Sequence, residues 1–280
     1  IYRLSEKFSK EGAIGILNED DFIKYRNKNP ELIRICSFNL HGTHDGDVNR
    51  FRALANELSL FEPELCAYQE VISGAGIEET STQIARWMTN ISGFYYRTHF
   101  AYCHPYMEKY PEGVAISAKY ELTNKHSIDL NKGLKNGIRP LMDRFAAIGE
   151  AQIYKKRIIF ASLHLDHDEN QEVRLAQAEK LLSEIERLYG TDDSYYCCIL
   201  SGDFNDIEDS LCLNYLKEQG FKDTYRICHP TGGNTFTTAN PFTRIDYIMV
   251  KGDVKRIHHA ELILNNPQYS DHIGLYAVIE

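Results

Sequence analysis

No run of about 18 consecutive apolar residues occurs anywhere in the 280-residue chain, so no transmembrane helix is expected. CxxC pairs and Cys/His zinc spacings are also missing, although there are seven cysteines. That odd number excludes a fully paired disulfide framework. Cys36, Cys66, Cys197 and Cys198 sit in apolar runs and read as reduced core thiols of a reducing, cytoplasmic compartment. Positive charge is scarce: 31 Lys and Arg stand against 40 Asp and Glu, for a net charge of -9. A protein that tracks long nucleic acid through its backbone needs a basic stripe, which this balance argues against. A nuclease with a small basic patch stays open. The start at Ile1 shows no charged segment followed by an apolar one. It is not an initiator methionine either, which leaves a removed targeting segment or a neighbouring domain open. Low-complexity linkers and repeats of solenoid period are absent too.

What is present is ample core material, 43% hydrophobic and 11% aromatic. Residues 1–31 are polar and weakly periodic and read as an N-terminal extension; residues 32–280 read as one catalytic domain. Leu32–Phe38 is a β-rich run ending at Asn39 and a Gly42 loop. Asp47 is placed to cap a helix whose Val48, Phe51, Leu54, Ala55 and Leu58 share one face, and a short strand Leu65–Tyr68 then delivers Gln69-Glu70. A second helix includes Ile84–Met88. Strands are expected at Val114–Ala118, Leu122–Ile128, Phe145–Ile153, Arg157–Leu165, Cys197–Ser201, Ile245–Val250, Val254–Leu264 and Gly274–Ile279, with a helix over Asn170–Leu188. Hairpin-like pairs beside α/β crossovers predict an α/β (α+β) domain with two mixed sheets covered by helices.

Polar clusters follow or interrupt these strands: Phe38-Asn39-Leu40-His41-Gly42, Tyr68-Gln69-Glu70, Ser162-Leu163-His164-Leu165, Ser201-Gly202-Asp203-Phe204-Asn205, Arg244-Ile245-Asp246-Tyr247 and Ser270-Asp271-His272. Ligands of open α/β sheets bind at such strand ends. Asp246, inside an apolar strand, faces a steep desolvation cost unless it meets a cation or a donor. Each cluster also has a plain reading. His164 alone suits a satisfied core histidine, Asp203 and Asn205 an ordinary Asx turn, and Asp271-His272 a cap. Asp166, His167, Asp168 and Glu169 read as a solvated connection, and His41 and His44 as bystanders beside Asn39. Arg139 and Arg144 are surface charges unless one binds phosphate. Phe94–Tyr110 reads as core and hairpin aromatics, with base stacking or a lipid pocket as the alternative.

Taken together and in this order, the six motifs resemble the endonuclease/exonuclease/phosphatase superfamily over about Ile33 to Glu280. The resemblance implies a four-layer sandwich with a metal site at one end of its paired sheets. It implies Glu70, assisted by Asn39 and Asp271, as the holder of Mg²⁺, with Mn²⁺ as the usual substitute. By the same resemblance Asp203 orients or deprotonates the attacking water, and Asn205 fixes a phosphate oxygen or that Asp. Asp246 and His272 form an Asp–His pair, and His164 contacts the scissile phosphate or protonates the leaving oxygen. Relatives differ over which group is the base and over one metal or two. Glu112 stands where some relatives have a Glu supporting the second histidine. Ser-Leu-His-Leu and the lone Trp87 do not fit the abasic-site endonucleases, and Arg244-Ile245-Asp246-Tyr247 does not fit the inositol-polyphosphate 5-phosphatases. The expected function is therefore Mg²⁺-dependent phosphodiester hydrolysis with a nuclease-like substrate favoured. A phospholipid, sphingomyelin or small organic phosphate is the alternative, and a catalytically silent binding module a minor one. Oligomeric state is not legible.

Overall fold

Two strand–helix–strand crossovers, one in each of two sheets, organise the chain. The structure, a computed structural model, describes residues 31–42, 48–74, 76–135 and 137–280. The expected N-terminal extension (all but residue 31), the Asp47 cap and His44 lie outside the described residues. In chain order the strands are β1 (Ile33–Asn39), β2 (Leu65–Ile72), β3 (Arg97–Tyr106), β4 (Tyr110–Ala118), β5 (Leu122–Asp129), β6 (Phe145–Ile153), β7 (Lys156–His164), β8 (Cys197–Asp203), β9 (Lys222–Asp223), β10 (Asp246–Gly252), β11 (Ile257–Ile263) and β12 (Gly274–Ile279). The helices are α1 (Val48–Ser59), α2 (Thr80–Ser92), α3 (Gln171–Tyr189), α4 (Leu211–Glu218) and α5 (Thr224–Cys228).

One six-stranded sheet has the order β11-β12-β1-β2-β4-β3 and the other β5-β6-β7-β8-β10-β9. Among the described strands only β1–β2 and β7–β8 pair in parallel. Parallel neighbours need a long return path, which α1 and α3 supply. The α1 side chains Phe51, Leu54, Ala55 and Leu58 are buried at helical spacing against the outer face of the first sheet. Asn170 caps α3 by accepting from the Glu172 amide, and the face of α3 that includes Leu181 and Ile185 covers the second sheet.

Side chains alternate between the two faces of each strand. Ile33 and Ile35 of β1, Phe160 of β7, Ile199 of β8 and Ile248 of β10 point into the gallery between the sheets and are essentially inaccessible. Burying each stabilises the fold by roughly 1.5–3 kcal/mol. Cys36 and Phe38 face the other way, under α1. The result is the mixed, two-sheet sandwich between helical layers that the sequence predicts.

Expected and observed ends agree at β6 and β12 and differ by one residue at α3. Four elements are absent from the sequence reading: β3, α4, β9 and α5. Strand β3 falls in the aromatic segment and is an edge strand with mixed burial, so its pattern never alternates cleanly. Helix α4 has only eight residues, capped by the Ser210 hydroxyl accepting from the Leu213 amide.

Candidate active site

Strand polarity gathers the predicted residues at one end of the sandwich. Asn39, His164 and Asp203 are the last residues of β1, β7 and β8, Asp246 is the first of β10, and Asp271-His272 lead into β12. In β2 the pairing with β4 slips between Tyr68 and Val71. Glu70 lies in this slip with φ of 51°, and its carboxylate emerges half-buried from an otherwise interior strand. A bulge of this kind re-aims one side chain at the cost of local regularity.

Asn39 is fully buried and its amide Nδ2 donates to Glu70 Oε1 at 3.0 Å and to Asp203 Oδ2 at 3.2 Å. One amide thus ties the two sheets' carboxylates together. Asp203 Oδ1 accepts the Asn205 backbone N–H at 2.8 Å, and Asn205 Nδ2 donates to Leu165 O at 3.0 Å. The Asx turn considered above is therefore present. It occupies one carboxylate oxygen and leaves the other, Oδ2, facing His164 Nε2 at 3.5 Å and His272 Nε2 at 3.6 Å. His272 Nδ1 lies 2.9 Å from Asp246 Oδ2, and the Asp246 amide donates to Thr235 Oγ1. Against the His272 ring, at 4.9 Å between centroids, lies Phe236.

Burial and charge set the protonation of this group. Burial, reinforced by Asp246 and offset by His272, raises the Asp203 carboxyl to about 7. For His272 burial favours the neutral ring, but Asp246 and then Asp203 outweigh it and raise the imidazole to about 10. His164 goes the other way. Burial, then the positive Arg144 and His272, lower it well below the usual imidazole range. The ligand atoms of Asp203, Asp246 and His272 lie within 4.8 Å of one another, and this buried trio is able to chelate a divalent cation.

A second pair of carboxylates lies across Asn39 from this trio. A Cβ built on Gly42 would lie 3.4 Å from Glu112 Oε2 and 3.8 Å from Glu70 Oε2. Glu112 Oε2 is buried with no hydrogen-bond partner among the described residues, and burial followed by repulsion from Glu70 pushes Glu112 up to about 8. Two carboxylates thus flank Gly42 and offer hard oxygen atoms of the kind that suit a divalent cation, while Asn39 turns its Nδ2 toward Glu70.

Several readings change on contact with these positions. Glu112 is expected beside His164, yet its Oε1 lies 3.5 Å from His104 Nε2. His41 has partners at the site: its amide donates to Asn39 Oδ1, and its Nδ1 lies 3.3 Å from Asp271 Oδ1. Asp166 is not solvated. It is fully buried, accepts from the amides of Leu141, Met142 and Asp168, and so pins the segment before β6 to the end of β7. Arg139 is exposed, whereas Arg144 is 3% exposed and makes no ion pair among the described residues. Thr235, Phe236 and His104 escape the sequence reading. They lie in segments without periodicity, and only the fold brings them to the site.

Among curated proteins, none matches the chain in sequence. Among solved structures it is similar to an endonuclease/exonuclease/phosphatase family protein from Leptotrichia buccalis, with TM-score 0.73 and 19% identity over 89% of this chain and 99% of the other. It is also similar to a humanized D. rerio TDP2 (TM-score 0.67, 17% identity, 89% and 99% covered). A third is a mannosyl-6-phosphatase from Bacteroides thetaiotaomicron (TM-score 0.66, 18% identity, 89% and 99% covered). At these identities the likenesses establish the fold. A family model described as the endonuclease/exonuclease/phosphatase family matches residues 36–272, spanning every motif from Asn39 to His272. With this architecture and an Asp203–Asp246–His272 cluster able to hold a divalent cation, the chain is a metal-dependent phosphoester hydrolase and belongs to the endonuclease/exonuclease/phosphatase family.

Proposed function

We propose that the chain hydrolyses a phosphodiester in a short nucleic acid or nucleotide-like substrate, using Mg²⁺ (or Mn²⁺ in its place) held by Glu70 with Asn39 and Asp271. The observation that carries this reading is the convergence of Asn39 Nδ2, His164 Nε2 and His272 Nε2 on Asp203 Oδ2, at 3.2, 3.5 and 3.6 Å. The Glu70 side is preferred over the Asp203–Asp246–His272 trio for the resident cation. His272 Nδ1 is already engaged by Asp246, and Mg²⁺ favours oxygen ligands. Once bound, the cation supplies positive charge to the phosphoryl oxygens as negative charge develops there.

The protein's own groups divide the remaining work. Asp203, poised near 7, takes a proton from the attacking water. His272, kept charged by Asp246, donates to the phosphate and returns a proton to the leaving oxygen. His164, held neutral, donates a hydrogen bond to a phosphoryl oxygen, and the Asn205 amide keeps the Asp203 carboxylate oriented. Arg144, buried near His164 without an ionic partner among the described residues, supplies a fixed positive charge for a non-bridging oxygen.

Support for a nucleotide-like substrate comes from Phe242, which is 66% exposed and packs edge-on against Phe236 at 5.8 Å. This aromatic ledge, one ring away from His272, suits stacking of a base next to the scissile phosphate. A phospholipid or small organic phosphate is the second reading. Met107 and Leu141 are 71% and 60% exposed at the same end of the sandwich, where an apolar substrate portion would be tolerated, and a mannosyl-6-phosphatase shares the fold.

The test is Mg²⁺-dependent hydrolysis of bis-p-nitrophenyl phosphate, followed by single-stranded DNA, RNA, sphingomyelin and sugar phosphates. Asp203→Ala is expected to abolish turnover. Absence of any Mg²⁺- or Mn²⁺-dependent turnover overturns the reading, and preference for sphingomyelin or a sugar phosphate transfers it to the second one.

A further inference from the structure

The gallery between the sheets changes character one layer below the active site. Deep in the sandwich its inward positions are apolar: Ile35, Phe160, Ile199 and Ile248. Continuing the same alternation toward the active end, the next inward side chains are Ser37, Gln69, Ser162 and Ser201, all buried. Above them come Asn39, His164 and Asp203. Within the polar layer one bonded unit crosses from sheet to sheet. Gln69 Nε2 donates to Ser162 Oγ at 3.0 Å, and Ser162 Oγ donates onward to Tyr68 O at 2.9 Å. Strand β7 is thereby fastened to two consecutive residues of β2. Gly202 makes room for the link, since a Cβ there would lie 3.0 Å from Gln69 Nε2 and 2.1 Å from Leu163 O.

We infer that Gln69 and Ser162 form an inter-sheet clasp that sets the separation of the two halves of the active site, making both of them positioning residues. Gln69 precedes Glu70, Ser162 stands two residues before His164, and Gly202 precedes Asp203. The clasp therefore joins the backbone steps that carry the cation-holding carboxylate to those that carry the proton-transfer groups. An apolar contact at this level is non-directional and tolerates sliding of one sheet over the other. A hydroxyl that both accepts and donates fixes position along the strand as well as distance. Catalytic groups need such support to within about 0.5 Å.

This inference rests on the assignment of Glu70 to the cation. Its test uses thermal unfolding of the full chain across a Mn²⁺ titration, together with bis-p-nitrophenyl phosphate kinetics in Mg²⁺. Gln69→Leu and Ser162→Ala remove the clasp, Ser162→Thr keeps the hydroxyl, and Ile248→Val, deeper in the gallery, serves as a control for lost stability alone. The expected result is about a tenfold or larger rise in the Mn²⁺ midpoint and a comparable fall in kcat for the two clasp variants, the range seen when support of a metal site is removed. KM should stay within about threefold, Ser162→Thr should restore both readouts, and Ile248→Val should leave them unchanged. Clasp variants that lose stability like Ile248→Val, yet keep the wild-type Mn²⁺ midpoint and kcat, overturn the inference. A wild-type protein whose unfolding ignores Mn²⁺ overturns the cation assignment instead. Should Gln69→Leu fail to fold, Ser162→Ala against Ser162→Thr gives the same decision.

Discussion

Asp203 shows how one side chain serves two purposes. Its Oδ1 closes a turn with the Asn205 amide, and its Oδ2 meets Asn39, His164 and His272. A sequence motif of Asp-Phe-Asn reveals the turn equally well in a protein with no activity, so it took the position of Oδ2 to separate the two readings. Asp246 is a simpler case. A buried carboxylate in an apolar strand requires a partner, and the sequence pairs it with His272 by resemblance; the bond is there at 2.9 Å. Replacing Asp246 with Asn removes the carboxylate that raises His272, so the imidazolium loses its proton at lower pH. Steady-state kinetics across pH should show kcat for Asp246→Asn down by on the order of 10²–10⁴-fold and the alkaline limb displaced downward. Unchanged limbs would mean that His272 is not the group whose deprotonation ends activity.

Glu208 gives a pH effect unrelated to catalysis. Hydrogen bonds from Arg226, with Arg244 beside it, lower its carboxyl to about 2. A depressed carboxyl stabilises the fold above its unfolded value, and that contribution disappears as pH falls through the folded one. Between about pH 4.5 and 2 the wild type should lose on the order of 1–2 kcal/mol through this group, after discounting for its partial exposure. Urea unfolding at pH 5 and pH 2.5 should show a smaller drop in Glu208→Gln than in the wild type.

At the scale of elements, the strands with buried apolar runs were legible and the short or edge elements were not. Strand β6 and helix α3 announce themselves by period, whereas β9 has two residues and α5 has five, too few for any period to register. The β3 edge, with Tyr102 exposed and Ala101 and Cys103 buried, is half-solvated and reads as aromatic clutter. Caps are more predictable. Asn170 accepts from the Glu172 amide at 3.0 Å at the head of the α3 crossover. Asn170→Ala should cost about 1 kcal/mol in chemical denaturation while kcat stays near wild type. A large loss of kcat would show that α3 orients His164 as well as covering the sheet.

The whole molecule explains why the site was legible as a set of residues but not as a geometry. Its members are spread from Asn39 to His272, and only the matched polarity of two parallel strand pairs brings their ends together. Motif order conveys membership. It carries no information about the Glu70 bulge, the His104–Glu112 contact or the pinning role of Asp166, all of which depend on neighbours distant in sequence. Net charge acts at this scale too. With -9 overall, the chain repels a polyanion except near its cationic groups. At fixed Mg²⁺, KM for an oligonucleotide should stay flat or fall as NaCl rises from about 20 to 200 mM, opposite to the steep weakening of a basic binder. A tenfold rise in KM would reveal a basic tract that contacts several phosphates.

Because each sheet contributes only part of the catalytic layer, neither sheet alone can hold a working fragment of the site. Asn39 and Glu70 belong to one, His164, Asp203 and Asp246 to the other, and among the described strands the first lies between the second and the last. Strands β1 and β12 must therefore pair before the proposed chemistry is possible. The proposed hydrolysis therefore depends on both sheets being closed on each other, and a copy that stops before β12 would lack the strand that follows Asp271 and His272.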